Sequence, residues 1–226
     1  MRGRKKINLT IGQLKEVIHS EKGQVRLFFE DEASFGRISD TKHCWCAKGV
    51  RPVIHKQRVR EYREIFGAVE PETGDFVYMI EQKGKPEKKK PGRPKKGEVA
   101  ESKKPKQKEK GKKSRLMNEF MQMLSERYSR DRIVCCLDHA RWHTSQYIRV
   151  PTNITLIFIP PYTPEMNPIE QIWREIRTMG FHNRYFNSLA EVIAHLQTTI
   201  ATLSPKTVMS ITQRDWIMNR VQLDAA

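Results

Sequence analysis

The apolar positions of this chain fall into short runs separated by polar turns, and those runs predict most of its elements. Val25–Phe29 is a short apolar run, strand-like and buried on both faces. It leads into Glu30-Asp31-Glu32. Cys44–Ile54, containing Ala-Lys-Gly-Val-Arg-Pro-Val, carries a strand–turn–strand signature. Arg63–Val69 and Phe76–Ile80 flank Pro71-Glu72-Thr73-Gly74 and read as a hairpin; with the first run they predict three successive antiparallel strands. Leu116–Tyr128 is an amphipathic helix, with Leu116, Phe120, Met123 and Leu124 on one face. Arg132–Asp138 is a second buried strand that ends in an acid, and a helix is expected after His139–His143 through about Val150. Thr152–Ile159 is a third buried strand. A helix over Leu189–Leu203 has Ser188 as its cap, and the stretch with Trp216, Ile217 and Val221 is read as one more. The class is α/β: a mixed sheet of three antiparallel strands, then alternating helices and strands.

Ile159–Trp173, I-P-P-Y-T-P-E-M-N-P-I-E-Q-I-W, stands apart from these runs. Pro160, Pro161, Pro164 and Pro168 each lock their own φ and push the preceding residue toward extended geometry. Asn167 reads as an N-cap with Pro168 at the first helical position. Ile169, Ile172, Trp173 and Ile176 recur at helical spacing, so the helix has a buried face with Glu170 at its edge. Asn167-x-x-Glu170 has the form of a capping box. A loop this stiff also places one carboxylate reproducibly.

Charge changes the picture in one segment. Residues 83–115 hold fourteen Lys and two Arg against four Glu, a net +12 of the chain's +16. That stretch lacks aromatics and cannot bury a core, so it reads as a disordered insert. Within it, Lys90-Pro91-Gly92-Arg93-Pro94-Lys95-Lys96 resembles an AT-hook, which makes Arg93, Lys95 and Lys96 candidate DNA contacts; a generic basic linker is the alternative. Residues 1–24 form a basic linker with a weak helical pattern. The remainder, 25–226, is long enough for one domain with a sizeable core. No apolar run approaches a membrane span, and no apolar signal core opens the chain, so a cytoplasmic location with reduced thiols is expected. His43-Cys44-x-Cys46 lacks a second Cys/His pair at zinc-site spacing.

Three acids stand out by position. Asp31 closes the first apolar run, Asp138 closes a later strand, and Glu170 opens the helix after the next one. In a mixed sheet of this order the first strand can lie beside the Asp138 strand. Converging carboxylates destabilise one another without a cation, whereas Mg²⁺ or Mn²⁺ wants oxygen ligands. A pair of such ions can activate a water or a 3′-hydroxyl and stabilise the leaving oxygen of a phosphodiester. His143, five residues after Asp138, is a candidate contact to a DNA phosphate, against the alternative of a surface or packed histidine.

The runs F-F-E-D-E-A-S-F, L-D-H-A-R-W-H and P-P-Y-T-P-E-M-N-P-I-E-Q-I-W resemble, in this order, the three blocks of the mariner-like DDE transposases, in particular their bacterial insertion-sequence 630 branch. Trp45, Lys48-Gly49, Pro52 and Phe66-Gly67-Ala68-Val69 add to the likeness, which covers about residues 25–200 apart from the insert. The resemblance implies a ribonuclease H-like catalytic domain with Asp31, Asp138 and Glu170 as a metal-binding catalytic triad, Mg²⁺ as cofactor and Mn²⁺ as its substitute. It also implies cleavage and transfer of transposon-end DNA into target DNA, by a homodimer or higher assembly. Family members carry N-terminal helix-turn-helix modules. Residues 1–24 are too short to hold them, so an upstream helix-turn-helix protein or reading frame is an expected partner. His139 stands where the family usually has Asn.

The alternative is a catalytically silent, truncated transposase that acts by binding or regulating on DNA, through the basic insert. On that reading, deleting residues 83–115 abolishes most DNA binding and flattens its dependence on salt. Titrations of the full and deleted chains against duplex DNA at several salt concentrations check this; affinity retained after deletion rejects it.

Overall fold

The computed structural model describes residues 25–82, 111–140, 142–160, 163, 166–215 and 217. Its frame is one five-stranded sheet of order β3-β2-β1-β4-β5. Strands β1 (Val25–Ile38), β2 (Arg58–Glu70) and β3 (Asp75–Ile80) form the expected antiparallel meander. Strands β4 (Arg132–Leu137) and β5 (Ile154–Phe158) add to the other side of β1 in parallel.

Strand β1 is longer than its apolar run predicts. Its pairing with β4 stops at Phe29↔Cys136, but its ladder with β2 continues through Glu32↔Phe66 to Ile38↔Arg58. The backbone groups beyond Phe29 are satisfied by β2, so the chain stays extended whatever its side chains are. Asp31 is therefore a mid-strand residue, not the end of a strand, and it lies just past the point where β4 falls away.

Alternation along β1 separates two cores. Leu27, Phe29, Ala33 and Phe35 face helices α2 (Ile169–Gly180), α3 (Leu189–Ala201) and α4 (Pro205–Thr212). Phe28 faces α1 (Lys112–Arg127), whose Leu116, Met117, Phe120, Met121 and Leu124 are fully or almost fully buried. Because α1 starts at Lys112, the last four residues of the expected 83–115 insert are helical; residues 83–110 lie outside the described residues. Ser188 caps α3 as expected, accepting from the Glu191 N–H at 3.1 Å. Helix α4, capped by Ser204 with Pro205 in its first turn, was not foreseen in the pattern.

Two expected elements are absent among the described residues. Residues 41–57 contain a turn, closed by Val50 N–H to the Ala47 carbonyl with Gly49 at φ 85°, but no ladder. Trp45 and Val53 are exposed there, without a sheet face to pack on. The helix expected to end near Val150 is instead a series of turns. Asn118 of α1 takes its hydrogen bonds: its amide donates to the Tyr147 carbonyl at 2.9 Å and accepts from the Arg149 N–H at 2.7 Å. The Trp216 and Val221 positions lie outside the described residues.

One contact sets where α2 sits. Gly67 is the residue paired with Asp31 across β1 and β2. A Cβ there would meet the Trp173 ring at 2.7 Å and the Phe76 ring at 3.0 Å. The bare glycine lets the indole lie against the sheet, with Phe35 and Phe76 edge-on to it. Gly67→Ala is expected to cost about 1–3 kcal/mol through overpacking and to lower the urea midpoint at unchanged slope. An unchanged midpoint rejects this account of α2's seating.

Candidate active site

The candidate acids gather where the parallel strands end. Asp138 follows β4 directly and its side chain is about 60% exposed. Asp31 projects from β1 on the face that carries Phe29 and Ala33. Glu170 is in the first turn of α2, exposed, three residues before the Trp173 that is seated on Gly67. Burial, reinforced by Glu32, Glu170 and Asp138, pushes the Asp31 carboxyl up to about 7. Both other candidate acids thus act electrostatically on Asp31 from the rim where β4 falls away from β1.

The Pro-rich loop reaches that rim by a route other than a capping box. The α2 N-terminus has no side-chain cap. Asn167 is buried, and its amide donates 2.9 Å to the carbonyl of Glu30, one residue before Asp31. A side-chain cap needs the Asn oxygen over the first turn; the bond to β1 draws the side chain the other way. Asn167 so ties the start of α2 to the strand that carries Asp31. Tyr162, Pro161 and Pro164 lie outside the described residues.

The α1 face of the same strand holds further acids. Glu30 is fully buried, and neither carboxylate oxygen meets a hydrogen-bond partner among the described residues. Burial, then Glu32, Asp31 and Asp138, raise its carboxyl well above the ordinary range, which favours the neutral form. Glu32 accepts from Lys113 of α1 at 2.7 Å. Glu30, Lys113 and Asn167 escaped the sequence reading as functional neighbours. Only the alternation within F-F-E-D-E-A could have shown that Glu30 and Glu32 share the Phe28 face.

His143 differs from its expected role. Its side chain is 1% exposed, with Nδ1 2.7 Å from Asp138 Oδ1 and the ring against Trp142. Buried in this way it offers no surface to a DNA phosphate. Arg93, Lys95 and Lys96, the other candidate DNA contacts, lie outside the described residues. Cys135 and Cys136 are free and buried, with burial pushing Cys136 up to about 12; Cys44 and Cys46 are exposed. No helix among the described residues is long and apolar enough to cross a membrane.

As a donor set the rim suits a hard divalent cation: it is all oxygen, and its acidic neighbours add to the burial that raises the Asp31 carboxyl, a repulsion that a cation relieves. Among the described residues no three His, Cys, Asp or Glu side chains already stand close enough to share one ion.

Comparison with known proteins agrees with this geometry. Residues 98–193 match the family model of the DDE superfamily endonuclease domain, a stretch that contains Asp138 and Glu170. The protein y4pE/y4sA of Sinorhizobium fredii (strain NBRC 101917 / NGR234) is 39% identical over 85 residues, which are 37% of this chain and 63% of that relative. The Mos1 mariner paired-end complex with Mn has a TM-score of 0.61 at 15% identity, over 97% of this chain and 60% of that one. The catalytic domain of Mos1 mariner transposase has a TM-score of 0.53 at 14% identity, over 93% of this chain and 85% of that one. The chain thus spans under two thirds of the longer structures it resembles, and its mixed sheet with flanking helices is of the ribonuclease H-like class.

The Asp31 titration gives a sign. Its folded carboxyl holds a proton up to about 7, against 3.8 for an unperturbed one. Between those values the folded chain binds more protons than the unfolded, so stability falls as pH rises through that window. In metal-free buffer, Asp31→Asn is expected to melt higher than the parent at pH 8, with the difference closing below pH 4. A difference that is the same at both pH values rejects the assignment.

Proposed function

We propose that this chain is the catalytic portion of a mariner-like DDE transposase of the insertion-sequence 630 branch, cleaving and joining DNA strands with two divalent metal ions. The observation that carries the reading is that Asp31 lies on β1 just past the end of its pairing with β4, Asp138 follows β4 directly and Glu170 opens α2. The DDE endonuclease match over 98–193 and the Mos1 likeness in fold support it. Mos1 structures include a paired-end complex with the left transposon end, a strand transfer complex, and complexes with Mn and with Mg.

Asp31, Asp138 and Glu170 would hold the ions. Bound Mg²⁺, or Mn²⁺ in its place, supplies Lewis-acid stabilisation of the phosphodiester and lowers the pKa of an attacking hydroxyl. The chain's part is placement: β1 and β4 fix two carboxylates on rigid strands, and the Trp173–Gly67 contact fixes the helix that bears the third. Burial of Asp31 keeps its charge strong toward a cation, because little water screens it, while Asp138 and Glu170 stay open to solvent. Transposon ends and target DNA are the substrates, held through the basic insert that includes Arg93, Lys95 and Lys96. A homodimer or larger assembly, with a helix-turn-helix protein or reading frame to find the ends, completes the machine in the nucleoid of a bacterial cytoplasm. The silent, DNA-binding alternative loses ground because all three acids remain in place.

The test is Mn²⁺-dependent nicking of DNA that carries the element's ends, with an end-binding module supplied. Asp31→Ala, Asp138→Ala and Glu170→Ala are each expected to lower the rate by about a hundredfold or more, the loss of several kcal/mol of metal-borne stabilisation, while the melting curves stay cooperative. Undiminished nicking by the Asp138→Ala chain defeats the proposal.

A further inference from the structure

Asp138 is exposed, yet its side chain is not left to rotate. Its Oδ1 accepts from the Ala140 N–H at 3.1 Å and lies 2.7 Å from Nδ1 of His143. The same Nδ1 is 2.9 Å from the Asp138 carbonyl oxygen. A carbonyl and a carboxylate only accept, so Nδ1 carries the proton and donates to both. The ring is held in turn: it is buried, tilted against Trp142 with centroids 3.8 Å apart, in a turn closed by the His143 N–H to the Ala140 carbonyl at 3.0 Å. Its Nε2 is buried without a hydrogen-bond partner among the described residues, 3.9 Å from Oε2 of Glu32. The ring is therefore fixed through Nδ1 and through packing, not through Nε2.

Both donors fall on one oxygen of Asp138. Among the described residues Oδ2 has no such partner. A carboxylate pinned through one oxygen presents the other in a fixed direction, which is how outer hydrogen bonds prepare a metal ligand; removing such a partner typically costs about 10–100-fold in metal affinity.

From this we infer that His143 is a positioning residue for Asp138: its Nδ1–H fixes the Asp138 carboxylate so that Oδ2 is set to bind a divalent cation. The inference rests on Asp138 being a metal ligand, as proposed above. It replaces the direct DNA contact expected of His143 with an action through its neighbour. The two ring nitrogens make the idea separable from simple packing. In His143→Asn the side-chain amide can take the place of Nδ1–H. In His143→Gln the amide reaches the Nε2 position and leaves Asp138 without its donor.

Mn²⁺ affinity, measured on the full chain from the electron paramagnetic resonance of the free ion, reads the effect without turnover. Asp138→Ala and His143→Gln are expected to bind Mn²⁺ about tenfold or more weakly, and His143→Asn within about threefold of the parent. Parent-like affinity in His143→Gln overturns the inference. So does a His143→Asn chain as weak as His143→Gln, because the loss then comes from the missing ring and not from the missing donor. Parent-like affinity in Asp138→Ala removes Asp138 as a ligand, and the proposed function's site falls with this inference; a loss in Asp138→Ala alone overturns this inference and leaves that site standing. A measurement on the unaltered chain guards against misfolded variants: ¹⁵N shifts of the His143 ring are expected to show the proton on Nδ1. A ring with bare Nδ1 overturns the inference.

Discussion

The seating of Trp173 on Gly67 is the contact on which the site depends. Gly67 is the β2 residue opposite Asp31, and a single added carbon there would overlap the indole. Where the strand has no side chain, the helix can lie close; where the helix lies close, its first turn comes beside Asp31. Glu170 is one helical turn ahead of Trp173, so the depth of the indole fixes the reach of the carboxylate. Asn167 adds a second tie by bonding the Glu30 carbonyl at the loop's end. Two contacts of different character, one steric on β2 and one polar on β1, thus hold the start of α2 beside the Asp31–Gly67 pair.

The two ends of β1 treat charge in opposite ways. Near its start, Arg26 is bonded to Glu70 and Asp75 and lies 3.8 Å from Asp131, with Tyr128 beneath its guanidinium. Those carboxylates hold its pKa above the ordinary Arg range, and the cluster is charge-paired. Beyond Phe29 the strand carries Glu30, Asp31 and Glu32 in succession, with Lys113 as the paired cation on the α1 face. Burial and mutual repulsion raise Glu30 and Asp31 there. A paired cluster offsets the cost of burying its charges, whereas an unpaired one costs stability, and such clusters are commoner at functional sites. The crossing point is where β4 ends, because there the sheet opens on one side of β1 and room for a ligand appears.

The sheet also separates two jobs. On the Asp31 face, α2 brings the third acid. On the other face, α1 supplies Lys113 to Glu32, and its Asn118 organises the turns that follow Asp138. Those turns hold His143 beneath the carboxylate it bonds. In the segment after β4 the Tyr147 carbonyl and the Arg149 N–H are claimed by Asn118 of α1, and an irregular backbone can fold a histidine back onto the residue five before it. A helix would have carried that ring away from Asp138.

Much of the fold was legible in the chain. Among the described residues apolar runs marked all five strands and three of the four helices, because burial imposes a period on sequence; the three acids were legible because each closes or opens such a run. Chain order alone could not place Asp31 within its strand. Its ladder with β2 is a non-local pairing, which extends residues that have no local reason to be extended. For the same reason Asn167, a plausible cap from its neighbours, became a tie to β1, whereas His143 became the buried partner of Asp138, five residues before it, in turns that Asn118 of α1 holds. Sequence determined which residues have the chemistry and which face of each element is buried. Tertiary structure decided which of them meet, since a desolvated charge, the Asn167–Glu30 bond or a gap for an indole exists only once distant segments have packed together.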